Sequence, residues 1–414
     1  LNVPINLAYI SPLNPVPSGL SDYSEALVPA LAEFARITLY SDCGVPSNPH
    51  IAERFTVRPV AQLARHRSEH DMRLYQIGNS DHHRSAFDSL WRLPGIVVLH
   101  EPFLHGGLLA ISPTVYHRRL FYDLGRAERS AAERYATLTV RDDRVALLEV
   151  PLIGWVLDSS LGIIVHSQAA RQIIQAYCQN RHSPVHRSEI EIAVIPQLMP
   201  TLDLTNPHTE RGEWNLPIDA FILGVAGTIH PSKEPHLVLR AFAQLVHMIP
   251  NARLVFAGEL PTDYGLPALV QELGLVEHVI FLGRVEPLER LHHAMAACDA
   301  LISLRQPTIG ETSSVALRAM ALGRPLIVRN VGWYGELPDT ACCKISPTAG
   351  ADELASVMLH LAVSPDVRQC IGENAHRYIA TECAPSAAAR RYAEFLQSVY
   401  ERVIQTLVAG RRSC

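Results

Sequence analysis

Only two lysines stand among the 36 lysine and arginine residues of this 414-residue chain. One of them, Lys233, occupies a place where a cation can do chemistry. In GVAGTIHPSKEPHLVLRAF (224–242) an apolar strand ends at Gly227, a short loop follows, and an amphipathic helix starts near Glu234. Lys233 is thereby expected at a helix mouth, where unbonded amide N–H groups and the positive end of the helix dipole favour phosphate. An ammonium on a flexible stem adds a compact charge that can follow a phosphate as it departs. The glycines and the Lys-Ser/Thr pair of a P-loop are missing. The plain alternative is an exposed loop cation.

Three other stretches carry residue types suited to a polar ligand. In PSGLSDYSEAL (17–27), Gly19 allows a backbone to come close to a ligand, while Asp22 and Glu25 read as an N-cap and its capping-box partner. In RQPTIGETSSVALRAMALGRPLIV (305–328) a strand runs into Gly310, and Glu311 is expected to open a helix that Gly323 closes. A glutamate in a first helical turn is favourable with no function at all. With Thr312, Ser313 and Ser314, however, it also offers a carboxylate, hydroxyls and free N–H groups to a polyol. Arg305, on the same strand end, is suited to an anion. In GIVVLHEPFLHGG (95–107), His100 ends a buried strand and is followed by Glu101 and, one loop further on, His105. A histidine at such a point is either a satisfied core residue or a functional one.

Positioning these groups requires strands, and short apolar, β-branched runs recur throughout. In the first half they are 5–12, 37–42, 73–79, 95–101, 161–167 and 191–197; in the second, 221–227, 252–259, 279–285, 300–306 and 325–331. Near-continuous apolar strands separated by helices read as parallel sheet covered on both faces. The expected fold is α/β, two Rossmann-like doubly wound domains facing a cleft, with ligands at the carboxyl ends of the strands. The expected division is an N-terminal domain over 1–200, a linker over 201–220, a second domain over 221–385, and a C-terminal helix over 386–414 that returns to the first domain. Pro29 is expected to bend the first helix. The Arg-rich stretch from about 110 to 150 reads as an insertion.

Bulk properties exclude several classes. A net charge of -5 gives no general attraction to nucleic acid. No apolar run approaches the roughly 18 residues that span a bilayer, and no basic amphipathic segment argues for more than peripheral membrane contact. The eight cysteines form no CxxC pair and the 20 histidines no ligand spacing, so no metal site is expected. The N-terminus lacks the layout of a signal peptide, and a cytoplasmic location is expected.

Taken together, GTIHPSKEPHLVLRAFAQL, ARLVFAGE, VIFLGRV, PTIGETSSVALRAMALGRPLIVRNVGWYGELPD, SGLSDYSEAL, YQIGNSDHH, PGIVVLHEPFLH and LGIIVHSQAAR resemble a GT-B fold glycosyltransferase of family 4. The resemblance covers nearly the whole length. It is to a bacterial branch that carries GET-S where better-known members have EGFG. It implies that Lys233 grips the donor diphosphate, that Gly19 approaches it, and that Gly258, Glu259, Arg284 and Val285 edge the pocket for the base. It also implies that His100 lies beside the anomeric region, that Glu311 binds sugar hydroxyls, and that the Thr312–Ser314 amides adjoin sugar and phosphate. Two positions depart from the family pattern. Arg318 replaces the second glutamate of its E-x7-E motif, and Thr228 replaces its phosphate arginine, so Arg305 or Arg318 is expected to supply the missing cation.

The resemblance further implies a retaining hexosyl transfer from a nucleoside-diphosphate sugar, with no cofactor and no metal. The acceptor is a glycan, a lipid-linked sugar or a small metabolite. The alternatives are a non-catalytic nucleotide-sugar-binding protein and an epimerase or phosphorylase on the same fold. A dinucleotide-dependent dehydrogenase is disfavoured, since no GxGxxG follows any strand.

Overall fold

The computed structural model describes residues 4–124, 150–180, 190–203, 206–261 and 264–412. Much of the suspected insertion, 125–149, lies outside these residues. Two compact units emerge. The first comprises 1–198, 309–312 and 385–414; the second comprises 199–308 and 313–384.

The first unit holds strands β1 (Ile5–Ile10), β2 (Ala35–Tyr40), β3 (Thr56–Arg58), β4 (Met72–Ile77), β5 (Gly95–Leu99), β6 (Ser160–Val165) and β7 (Ile192–Val194), in the order 3-2-1-4-5-6-7. The second holds β8 (Ile222–Ala226), β9 (Arg253–Ala257), β10 (Val279–Phe281), β11 (Ala300–Ser303), β12 (Leu326–Arg329) and β13 (Cys343–Ile345), in the order 10-9-8-11-12-13. Every described pairing is parallel, from Ile5 opposite Ala35 to Ile327 opposite Cys343. Each unit is therefore a doubly wound Rossmann-like sheet, whose connections reverse direction between its first and fourth strands.

Alternation along the central strands explains why both faces need cover. Leu7 and Tyr9 of β1 join one apolar cluster, while Ala8 and Ile10 join another. In β8, Ile222 and Ala226 face one cluster, and Leu223 and Val225 the other. Helix Gly19–Leu31 covers β1 with Tyr23, Leu27, Val28 and Leu31, and helix Pro235–Met248 covers β8 with Val238, Leu239, Ala241, Phe242 and Leu245. Both stripes follow the helical period. Pro29 does sit within its helix.

Helix Pro385–Arg412 groups with the first unit, inserting Ala388, Ala389, Tyr392, Phe395, Leu396 and Val399 beside Tyr23 and Leu27. Gly162 lets it approach: a Cβ there would lie 3.0 Å from Phe395. The segment that runs from 199 to β8 groups with the second unit, and Arg211 is fully buried there. Its guanidinium donates to the Ala297 and Ala220 carbonyls and pairs with Asp299 at 2.7 Å, stitching the segment before β8 onto the sheet. Among the described residues no helix is long and apolar enough to cross a membrane.

Candidate functional site

The reversal in the second sheet falls between β8 and β11, where Leu301 lies opposite Gly224. Two loops leave the carboxyl ends of these strands. Gly227 turns the first with φ +74°, a conformation that costs a side-chain-bearing residue about 1 kcal/mol or more. Gly258 follows β9, and a Cβ there would lie 2.1 Å from the Gly227 carbonyl oxygen, so only glycine lets the two strand ends close. Residues Pro231–Lys233 then form a single 3-10 turn, capped by His230 accepting from the Ser232 N–H at 3.2 Å.

This turn brings Lys233 back over the strand end. Its Nζ donates to the Ala226 carbonyl at 2.8 Å, and the side chain is half-buried. Arg305 joins it from the loop after β11, its Nη1 donating to the Ser232 hydroxyl at 2.8 Å, while the Gln306 N–H donates to the Ser232 carbonyl at 2.8 Å. Burial, and then the neighbouring Arg305 guanidinium, lower the Lys233 pKa from 10.5 to about 7. No ion pair engages Lys233 among the described residues. Lys344 differs: it pairs with Asp339 at 2.6 Å. Two cations thus converge on one loop pair, the arrangement expected at an anion site.

Glu234 follows directly and carries an unusual backbone, φ 52° and ψ 43°, in the left-handed region. Its carboxylate accepts from Arg329 Nε at 2.8 Å and Nη2 at 2.7 Å. Arg329 ends β12, is 2% exposed, and also donates to the carbonyls of Ser346, Pro347 and Ala349. Such a bidentate, buried pair offsets the roughly 1 kcal/mol backbone cost at Glu234.

The GETSS segment departs from expectation. Its helix runs Ser314–Ala321, and Ser313 is the N-cap, accepting from the Ala316 N–H at 3.2 Å. Glu311 therefore lies in the preceding loop, because the Ser313 hydroxyl is the better cap. Ile309–Thr312 group with the first unit. Gly310 has φ +78°, and a Cβ there would lie 2.7 Å from Ile173 and 2.8 Å from Pro102. Pro102 is two residues beyond His100, so this contact brings the GET loop to the end of β5. Glu311 is buried, with Oε2 accepting from the Ile309 N–H at 2.7 Å, and the Thr312 hydroxyl donates to the Gln197 side chain. Arg318 lies half-buried on helix Ser314–Ala321.

His100 sits in a buried chain of polar groups. His166 Nδ1 is 2.9 Å from the Ile195 carbonyl, His166 Nε2 is 3.1 Å from His100 Nδ1, and His100 Nε2 is 2.7 Å from Gln76 Oε1. A carbonyl only accepts, so His166 carries its proton on Nδ1. Burial lowers the His166 pKa to about 4 and the His100 pKa well below 6.5, so both rings are neutral at pH 7. His166 Nε2 is then an acceptor, His100 Nδ1 donates to it, and His100 Nε2 accepts. Gln76 Nε2 has no hydrogen-bond partner among the described residues; turning that amide over supplies the donor His100 needs. Tyr23 packs edge-on against His100 at 4.8 Å and shares a 2.7 Å hydroxyl contact with Tyr392 of the last helix. Both His100 nitrogens are thus engaged inside the unit.

The remaining expected residues are mostly exposed. Gly19 is exposed as the first residue of its helix, and nothing lies within 4 Å of a Cβ built on it. The cap of that helix is Ser18, accepting from the Leu20 N–H, and not Asp22. Asp22 instead accepts from the Asn14 amide, and Glu25 from Asn14 N and Asn48. Thr228 and Glu259 are exposed, Val285 is half-buried, and Arg284 pairs with Glu286 at 2.5 Å in solvent. Sequence reasoning missed Ser232, Glu234, Arg329, Gln76 and His166. Only His166 left a signal, since LGIIVHS ends a buried strand as GIVVLHE does.

Comparison with known proteins follows the same division. Residues 208–378 match the family model described as glycosyl transferases group 1. A D-inositol 3-phosphate glycosyltransferase from Saccharomonospora viridis is 27% identical over 204 residues, 47% of this chain and 46% of that protein. One from Mycobacterium avium is 31% identical over 216 residues, 50% of this chain and 47% of that protein. The chain spans about half the length of the curated relatives it matches. Among solved structures, Anabaena Alr3699/HepE in complex with UDP-glucose is similar over 95% of this chain and 100% of that one, with a TM-score of 0.65 and 17% identity. The fold is GT-B. Sucrose-phosphate synthase from Thermosynechococcus elongatus shares it, with a TM-score of 0.61 and 17% identity over 96% of this chain and 100% of that one. These likenesses carry the GT-B fold; the chemistry rests on the residues above.

Proposed function

We propose that the protein is a glycosyltransferase that moves a hexose from a nucleoside-diphosphate sugar to an acceptor hydroxyl, retaining configuration at the anomeric carbon. The observation that carries this reading is Lys233, held on the Ala226 carbonyl beside Arg305, with Lys233 in no ion pair among the described residues. A diphosphate bound there restores full charge to the ammonium, because a nearby anion favours the charged form. As the bond from anomeric carbon to phosphate oxygen breaks, negative charge grows on the leaving diphosphate, and Lys233 and Arg305 stabilise it. Two protein cations then do what a divalent metal does in other phosphate-leaving reactions. Arg305 is our choice over Arg318 for the missing phosphate arginine, since it acts on Lys233 directly.

The Glu311 carboxylate is assigned to sugar hydroxyls, and Gly310 with the Thr312–Ser314 amides to the sugar and phosphate. His100 is held rigidly, and it engages a sugar only by exchanging one of its two buried partners. The leaving phosphate oxygen takes the acceptor's proton as the new glycosidic bond forms on the same face, so no side-chain base is needed. Gly19, Thr228, Gly258, Glu259, Arg284 and Val285 are assigned to the nucleotide end of the donor. The acceptor is a glycan, a lipid-linked sugar or a small metabolite.

Because the similar Anabaena protein was solved with UDP-glucose, that sugar heads a donor panel with other uridine, guanosine and adenosine diphosphate sugars. Slow release of the nucleoside diphosphate from one donor, without acceptor, is the expected result. A thermal shift with every donor intact after long incubation would identify a binding protein instead.

A further inference from the structure

We infer that Arg329 is a positioning residue for Lys233: it captures the carboxylate of Glu234 and so keeps the adjacent ammonium free for phosphate. The inference rests on the diphosphate-clamp reading of Lys233. The arrangement itself is set out by the geometry. Lys233 and Glu234 are neighbours in sequence, yet they do not pair. Both Glu234 oxygens accept from Arg329, at 2.8 and 2.7 Å. The rest of that guanidinium is fixed by the carbonyls of Ser346, Pro347 and Ala349, so it cannot follow the carboxylate elsewhere.

Glu234 stands at φ 52°, where glycine would sit without strain, and so its carboxylate holds this turn against a backbone preference. Remove the guanidinium, and an unbalanced carboxylate lies one residue from an unpaired ammonium. The two would then associate, as Lys344 does with Asp339 at 2.6 Å. An incoming diphosphate would have to displace that carboxylate. Arg329 thus works through Glu234 and touches no substrate.

The test uses the full chain and inorganic pyrophosphate, a probe that needs no knowledge of the base, with affinity read by calorimetry. Lys233→Met sets the reference: it is expected to lose at least about tenfold in affinity, a typical effect of one charge-assisted contact. Arg329→Met is expected to lose a similar factor, and adding Glu234→Gly to Arg329→Met is expected to restore most of it. A purely structural role for Arg329 predicts the opposite, an equal loss in the single and double variants, and that result overturns the inference. If Arg329→Met does not fold, Glu234→Asp and Glu234→Asn answer the same question. Both are too short for the bidentate pair, but only Asp leaves a free carboxylate, so Asp is expected to bind pyrophosphate about tenfold more weakly than Asn. Equal affinities for those two overturn the inference while leaving the clamp intact. Should Lys233→Met bind as the wild type does, the clamp fails, and this inference with it.

Discussion

The loops that follow the first strand of each unit begin alike. The Ser11 N–H donates to Tyr40 at the end of β2, and the Gly227 N–H donates to Ala257 at the end of β9. Both loops leave a sheet where the strand order reverses, and both lead into a helix. From there they diverge in charge. Residues 11–18 are braced by carboxylates and a hydroxyl: Glu25 accepts from Asn14 and Asn48, Asp22 from Asn14, and the Ser24 hydroxyl is bonded to Ser11. Residues 227–234 turn on a left-handed glycine and present Lys233, with Arg305 bonded to Ser232 of the same loop. Equivalent topology therefore gives one loop closed on its own acids and another open to an anion. The fold supplies the position, and a few side chains decide what binds.

The largest expected effect belongs to Lys233. Lys233→Met should lower turnover at least about 10²-fold, the scale of losing one charge-stabilising donor. It should also stabilise the protein. The folded pKa of about 7 lies below the reference of 10.5, so the unfolded chain binds the proton between those values. Stability present above pH 10.5 is lost as pH falls towards 7, and below 7 the folded state holds a buried charge. Removing the amine should therefore raise the unfolding free energy at pH 7. Denaturant melts alongside turnover assays test both signs, and a destabilised variant would make Lys233 a structural residue.

A smaller effect is expected at the glycine that closes the second loop. Gly258→Ala should cost about 2 kcal/mol, because its methyl group meets the Gly227 carbonyl within a packed strand end. Urea titration checks this, and a neutral result would mean the strand ends part easily. Gly19→Ala, the counterpart in the first loop, has open space and begins a helix. Stability there should stay the same or rise by less than about 1 kcal/mol. Any loss of UDP affinity in that variant, measured by calorimetry, would then report ligand approach alone.

Much of the fold was legible because central strands are apolar on both faces and therefore read as continuous runs. β3 and β13 escaped notice: TVR and CKI are three residues each and carry a cation inside, too little for any period. The loop glycines and Lys233 were legible because their chemistry is local. The helix start was placed at Glu311 rather than at Ser314, since glutamate suits a first turn nearly as well as serine suits a cap. The Glu234–Arg329 pair spans 95 positions, and the His100–His166 contact spans 66. Nothing in a single sequence connects residues so far apart; only the folded sheet does.

The central claim is that a lysine poised near neutrality becomes fully charged when it meets a leaving diphosphate. Calorimetric titration of UDP at pH 8, repeated in buffers of different ionisation enthalpy, counts the protons taken up. With a free-state pKa of about 7, Lys233 is mostly neutral at that pH, and binding should draw close to one proton per site in the wild type and none in Lys233→Met. Equal proton uptake in the two proteins, or tight binding by the variant, would contradict it.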